Sequence, residues 1–270
     1  MRTAPIIVAA LFFASCAPQA VAPATGAPLD LANFEMVDLT HSFGADTVYW
    51  PTDKQGFRKD VVFEGAREDG LFYSAFSFAT AEHGGTHMDA PYHFSADGLK
   101  VEDVPLSALI APVVVIDARA EAAADRDYLL SLAAIAEHEK SHGDIAKGSI
   151  VLMMTGWSAR WPDRAQYLGG TDPADLHFPS FGEAAAKFLI EERGAVALGL
   201  DAASTDHGPS TEFPAHRVLG AANAPGFENL AGLERLPATG AYLLALPMKI
   251  EGGSGGPLRA VALVPRRPPA

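Results

Sequence analysis

Ile150-Val151-Leu152-Met153-Met154-Thr155-Gly156-Trp157 is apolar at every position up to Thr155. A run of that kind suits a central strand covered on both faces. A second run, Ala195 to Leu200, ends at Asp201. Between the two, Phe181, Ala184, Ala185, Phe188 and Leu189 recur at helical spacing. Ser180-Phe181-Gly182-Glu183 fits a capping box at the head of that helix, and Gly194 supplies its stop. Strand, helix, strand over residues 150–200 forms a crossover unit, so the fold class is α/β. Working outward, Val113-Val114-Val115-Ile116 ends at Asp117 and reads as another buried strand, as do Tyr242–Leu246 and Ala260–Val264. A further helix is expected over Asp127–Glu139, with Leu129, Leu132, Ile135 and Ala136 on one side. Asp117, Thr155 and Asp201 fall at strand ends, where ligand groups collect in such sheets. Periodicity leaves the strand order open.

The chain has 270 residues, of which 49% are hydrophobic and 20% charged, the balance of a core-forming protein. At that size folding buries roughly 70–75% of the unfolded surface without disulfide or structural metal, so a metal site here serves chemistry. The formal net charge of −13 argues against nucleic acid or an anionic membrane as partner. Residues 1–16 read as a signal peptide: Arg2, then the short apolar run Ile6–Phe13, then Phe13-Ala14-Ser15-Cys16. Small residues before Cys16, the sole cysteine, resemble a lipoprotein cleavage box. A lipid anchor on Cys16 would then be the one membrane contact. Cleavage after Ala20-Val21-Ala22, giving a soluble periplasmic protein, is the rival reading; a cytosolic chain with an apolar leader is the third. The Ala- and Pro-rich stretch 17–30 reads as a tether and 31–270 as a single domain, exported to the periplasm.

The chemistry concentrates in His83-Gly84-Gly85-Thr86-His87-Met88-Asp89-Ala90-Pro91-Tyr92-His93-Phe94, which holds three of the nine histidines. Gly84-Gly85 allows unusual backbone angles, which stops His83 and His87 from forming a simple helical clamp. His87, Asp89, Pro91 and His93 alternate, so in an extended edge or loop their side chains point the same way. Imidazoles with a carboxylate suit a divalent metal such as Zn²⁺ or Mn²⁺, and a water bound there ionises near neutral pH. His93 is placed to act as proton shuttle rather than ligand.

His83-x-Gly85-Thr86-His87-x-Asp89-x-Pro91-x-His93 resembles the signature of the metal-dependent cyclase family, to which bacterial kynurenine formamidases and isatin hydrolase belong. The resemblance extends through Tyr49-Trp50-Pro51, Thr155-Gly156-Trp157, Leu198–Asp206, Pro214-Ala215-His216, Glu228-Asn229-Leu230 and the C-terminal Pro247–Gly253 and Gly256–Ala260. It implies that His83, His87 and Asp89 bind one metal, and that Asp89, His216 and Glu228 bind a second in the formamidase branch. The isatin branch uses a single Mn²⁺, so one or two ions per subunit remain open. It further implies His93 as proton donor and acceptor, Trp50 against the substrate, a swivelling β/β/α fold, and homo-oligomers.

The activity expected is hydrolysis of a small-molecule amide (an aryl formamide or lactam) or a lactone by metal-bound hydroxide. Two alternatives stand beside it: metal-assisted ring closure or dehydration, and a non-catalytic binding lipoprotein. Ser204 near His207 lacks the Gly-x-Ser-x-Gly elbow of a serine nucleophile. Asp201 and Asp206 read either as groups orienting ligands or as a plain strand-end turn. His41, His138, His142 and His177 read as surface or structural. Gly252–Gly256 reads as a tight connection between the last two strands.

Overall fold

Residues 30–266 are described by the computed structural model; the leader, Cys16 and the tether up to residue 29 lie outside the described residues. Among the described residues, the unit Ala32–Ala270 carries twelve strands. They are β1 (Phe34–Asp38), β2 (Arg58–Ala66), β3 (Phe72–Ala79), β4 (His87–Asp89), β5 (Ile110–Asp117) and β6 (Leu129–Leu130), followed by β7 (Ile150–Met154), β8 (Ser180–Phe181), β9 (Ala197–Leu200), β10 (Gly226–Glu228), β11 (Ala241–Pro247) and β12 (Gly255–Pro265). Eight of them form one sheet in the order β1-β12-β11-β5-β7-β9-β10-β4. β4 also pairs with β12, which closes the sheet into a barrel with β1 added outside the ring. β5, β7, β9 and β10 run parallel. β12 serves three neighbours: Gly255–Pro257 pair with β4, Leu258–Leu263 with β11, and Val261–Pro265 with β1.

Alternation along each strand builds two cores. Val113, Val115, Ile150, Leu152, Ala197, Met88 and Phe227 share one with Ala241, Ala245, Ala260 and Ala262. Val114, Ile116, Val151, Met153, Leu198 and Leu200 face the other, against Phe178, Phe181, Ala185 and Leu189. Burying each large aliphatic side chain stabilises by about 1.5–3 kcal/mol. That is why the runs at 113–116 and 150–154 read as central strands: both of their faces are covered.

The helices begin later than their sequence suggests. Ser180 does not cap a helix; it lies in β8, which pairs with β6, and its hydroxyl donates to Ser204 O at 2.7 Å. The helix Glu183–Lys187 starts after Gly182 and passes into a π-helical turn, Phe188–Glu192. Likewise Leu129-Leu130 is strand, and the helix Leu132–His142 is capped by Ser131, whose hydroxyl accepts from Ala134 N. Both short strands take the residues that the helical pattern had claimed.

β2 and β3 form a separate two-stranded arm. Val61, Val62, Leu71, Phe72 and Phe78 on and beside it are all exposed. No helix among the described residues is long and apolar enough to cross a membrane.

Candidate metal centre

The segment His87–Asp89 is not an irregular edge. It is β4, fully buried and paired on both sides, with β10 and with β12. Met88 points into the barrel core, so His87 and Asp89 point together to the opposite face. Glu228 lies directly across from His87 in the β10 register. Asp89 has Gly226 on one flank and Gly255 on the other. The missing side chain of Gly255 leaves room for the His83 imidazole to reach the Asp89 carboxylate. His93 arrives by another route: Pro91–His93 is a 3-10 turn in which His93 N donates to Ala90 O at 2.8 Å.

Asp89 is the hub. His83 Nδ1 lies 2.6 Å and His87 Nε2 3.1 Å from Asp89 Oδ1. His216 Nε2 lies 3.0 Å from Asp89 Oδ2 and 3.3 Å from Glu228 Oε1, while His87 Nε2 is 3.5 Å from Glu228 Oε2. Donor atoms of His87, Asp89 and Glu228 fall within 4.8 Å of one another, as do those of His83, Asp89 and His93. All five residues expected as ligands are thus in one place, and His93 stands at their edge, its ring stacked on His83 at 3.8 Å.

The outer nitrogen of each ring fixes its tautomer. His87 Nδ1 faces Gly85 O at 2.9 Å, and a carbonyl only accepts, so Nδ1 carries the proton. His216 Nδ1 donates to Asp206 Oδ2 at 2.6 Å. Ser254 donates its hydroxyl to Glu82 Oε2 at 2.7 Å, so it accepts from His83 Nε2 at 2.8 Å. Neutral His83, His87 and His216 therefore all aim lone pairs at Asp89 and Glu228. Lone pairs converging on two carboxylates repel unless protons or a cation lie among them. Burial works against protonation of His87, but Asp89 and Glu228 outweigh it and raise its pKa to about 9. Burial likewise opposes His216, and its bonds to Asp206, Asp89 and Glu228 raise it well above the ordinary imidazole value. Burial would raise Asp89, yet His83 and His87 hold it well below the usual carboxylate range. A nitrogen and oxygen donor set with acceptor-bonded outer nitrogens fits a divalent cation.

The residues that supply these outer bonds were legible only in part. Asp206 proves to be an orienting group: it also accepts Ala215 N and His216 N, capping the helix Pro214–Ala221 that carries His216. Glu82 and Ser254 went unnoticed; the signal was a lone Ser inside the glycine run 252–256. Asp201 accepts from Thr155 N, Thr155 Oγ1 and Gly156 N, fixing the turn after β7. His138 is buried rather than superficial, and His177 pairs with Asp127.

The donors open on a cavity of about 340 Å³, walled by Tyr49, Trp50, Phe94, Leu168 and Phe213. Trp50 stands edge-on to Phe178 at 6.2 Å. His93 keeps an exposed edge, and desolvation, with the neighbouring histidines, lowers its pKa to about 4, so at pH 7 it is neutral.

A closed β/β/α barrel with this donor set beneath an apolar-walled cavity defines a metal-dependent hydrolase. The Cyclase family model matches residues 37–207, and the chain belongs to that family. It is 38% identical to the isatin hydrolase of Roseibium aggregatum over 89% of this chain and 96% of that one. It is 29% identical to the kynurenine formamidase of Salinibacter ruber, over 84% and 96% of the two chains. The crystal structure of an isatin hydrolase bound to the product analogue thioisatinate superposes with a TM-score of 0.80 at 36% identity, covering 87% of this chain and 94% of that one. The chain is a hydrolase of amide C–N bonds other than peptide bonds, and it uses a divalent metal.

Proposed function

We propose that the substrate is a lactam fused to an aromatic ring, chemically similar to isatin, and that hydrolysis opens the ring. The observation that carries this is the cavity: aromatic walls from Trp50, Phe94 and Phe213 end at a floor of imidazoles and carboxylates. A planar arene fits the walls, and its amide carbonyl reaches the floor. The higher identity to the isatin hydrolase than to the formamidase supports the same choice.

We assign His83, His87 and Asp89 as ligands of one ion, Mn²⁺ or Zn²⁺. Glu228 Oε1 already accepts Thr205 N at 2.6 Å. That bond engages one oxygen of the carboxylate a second ion would need, and so favours a single ion over a second one held by Asp89, His216 and Glu228. When bound, a divalent ion supplies Lewis-acid polarisation of a carbonyl and acidifies water. The chain's own residues do the rest. Trp50 packs on the arene and excludes water around it. His93 takes a proton from the water that attacks the carbonyl carbon, then returns it to the nitrogen as the C–N bond breaks. The products are a carboxylate and an amine on one opened molecule.

The test is turnover of isatin beside N-formylkynurenine by the metal-loaded protein, with the ion counted by mass spectrometry in the parent and in His87→Ala. Ring opening of isatin at least tenfold faster, with one equivalent of metal lost in the variant, supports the proposal. Preference for the formamide with two equivalents overturns both the substrate and the single ion. Unchanged metal content in His87→Ala overturns the ligand assignment.

We further propose export to the periplasm, supported by the leader pattern of residues 1–16, and self-association through the β2–β3 arm. A two-stranded hairpin is marginal alone in water, and this one leaves Val61, Val62, Phe72 and Phe78 exposed.

A further inference from the structure

The residue after Glu228 has every polar group committed. Asn229 is buried and adopts a left-handed conformation, φ +54, which few residues other than glycine tolerate and asparagine does. Its backbone N–H donates to Ala202 O at 3.0 Å and its carbonyl accepts from Thr86 Oγ1 at 2.6 Å. Its side-chain amide faces Gly85 O at 2.8 Å and the Tyr167 hydroxyl at 2.9 Å. Gly85 O accepts only, so the Asn229 nitrogen lies on that side. The Asn229 oxygen therefore accepts from Tyr167, whose ring is fully buried.

Gly85 O is also the acceptor of His87 Nδ1. One carbonyl thus receives two donors, the His87 ring and the Asn229 amide. Gly85 itself is in the left-handed region, φ +59, and packs against Phe43. The direction of its carbonyl is set from both ends: by Phe43 crowding the Cα, and by the Asn229 amide at the oxygen. The orientation of that oxygen sets the plane of the His87 ring, and so the direction of the Nε2 lone pair toward Asp89.

From this geometry we infer that Asn229 is a positioning residue for metal capture, acting on His87 through the Gly85 carbonyl, with Tyr167 holding the amide in register. The inference rests on the assignment of His87 as a ligand. Glu228 and Asn229 then divide the work at the end of β10: the first faces the donor cluster and the second aligns a ligand behind it. Removing a partner that orients a metal-bound histidine lowers metal affinity about 10–100-fold.

The test uses Asn229→Gly, which keeps the left-handed backbone accessible while deleting the amide. Tyr167→Phe, which frees the amide from its register, is measured beside it, with His87→Ala as control. Affinity for Zn²⁺ and Mn²⁺ is measured by chelator competition, and the melting temperature of the metal-free protein is recorded for each variant. Affinity at least tenfold weaker in Asn229→Gly, with turnover restored at saturating metal, is the expected result. A smaller loss of the same sign is expected in Tyr167→Phe. Affinity within twofold of the parent in Asn229→Gly, when His87→Ala has lost it, overturns the inference and leaves the ligand assignment standing. Should Asn229→Gly fail to fold, unchanged affinity in Tyr167→Phe overturns it instead. Retention of metal by His87→Ala rejects the ligand assignment and the inference with it.

Discussion

Replacing Gly255 by Ala attacks the site without touching a ligand. A Cβ at that position would lie 2.5 Å from His83 Cε1, 2.9 Å from His83 Nδ1 and 2.7 Å from Met88 O. Non-bonded carbons settle near 3.5 Å, so the imidazole would have to withdraw by about 1 Å. The backbone carbonyl of Met88 cannot absorb the strain, because β4 is paired on both sides. His83 would lose its 2.6 Å approach to Asp89 and its 2.8 Å bond to Ser254. Overpacking of this kind costs about 1–3 kcal/mol, and in a domain of this size each kcal/mol lowers the melting temperature by about 2–4 °C. A displacement of about 1 Å at a reacting centre costs on the order of 10²-fold in rate. The assay is chelator competition, turnover and thermal melting of Gly255→Ala, with Gly44→Ala as control because a Cβ there meets nothing within 4 Å. Metal affinity and turnover within twofold of the parent would refute the idea that the glycine flank admits His83 to Asp89.

Further outcomes are expected elsewhere in the molecule. His93→Ala should lose about 10²–10⁴-fold in turnover while keeping its metal; loss of the metal would make His93 a ligand. Asp206→Asn should misorient His216 and loosen the helix Pro214–Ala221, and an unaltered melting temperature would deny Asp206 its capping role. Burial holds His41 at about 4, below its ordinary 6.5, with Nε2 unpartnered. The unfolded chain therefore takes up that proton first, and stability present above pH 6.5 is lost as pH falls toward 4. Urea denaturation of His41→Gln at pH 7.5 and pH 5 should show a smaller acid loss than the parent; an equal loss counts against it. Val62→Asp with Phe72→Asp on the arm should shift the protein to a smaller species in light scattering, and an unchanged mass would remove the arm from self-association.

The apolar runs at 113–116 and 150–154 announced their strands because burial on both faces leaves no polar position to confuse the period. The His83–His93 cluster was legible for a similar reason: several metal-binding residue types are crowded into one short stretch. Its geometry was not. Extended alternation was expected through His93, but the chain turns at Pro91, and the ring reaches His83 by stacking rather than by strand register. Ser180 was misread because it is drawn into the β8–β6 pairing, with its hydroxyl donating to Ser204 O, which no local pattern displays. Ser254 is joined to His83 across 171 residues and carries Glu82 behind it, and a single sequence carries no trace of which distant strand lies next door.

The long reach of β12 bears on how the protein is made. His83 precedes its partner Ser254 by 171 residues, and β4 gains its second neighbour only from Gly255–Pro257. A nascent chain stopped before that strand has its histidines and β10, but lacks the flank that Ser254 and Gly255 set against His83 and Asp89. Completion of the His83 side of the site is therefore deferred until β12 is made. Truncation before Ser254, 171 residues beyond His83, should weaken metal binding although every assigned ligand is still present; affinity equal to the parent's in a chelator competition would refute it.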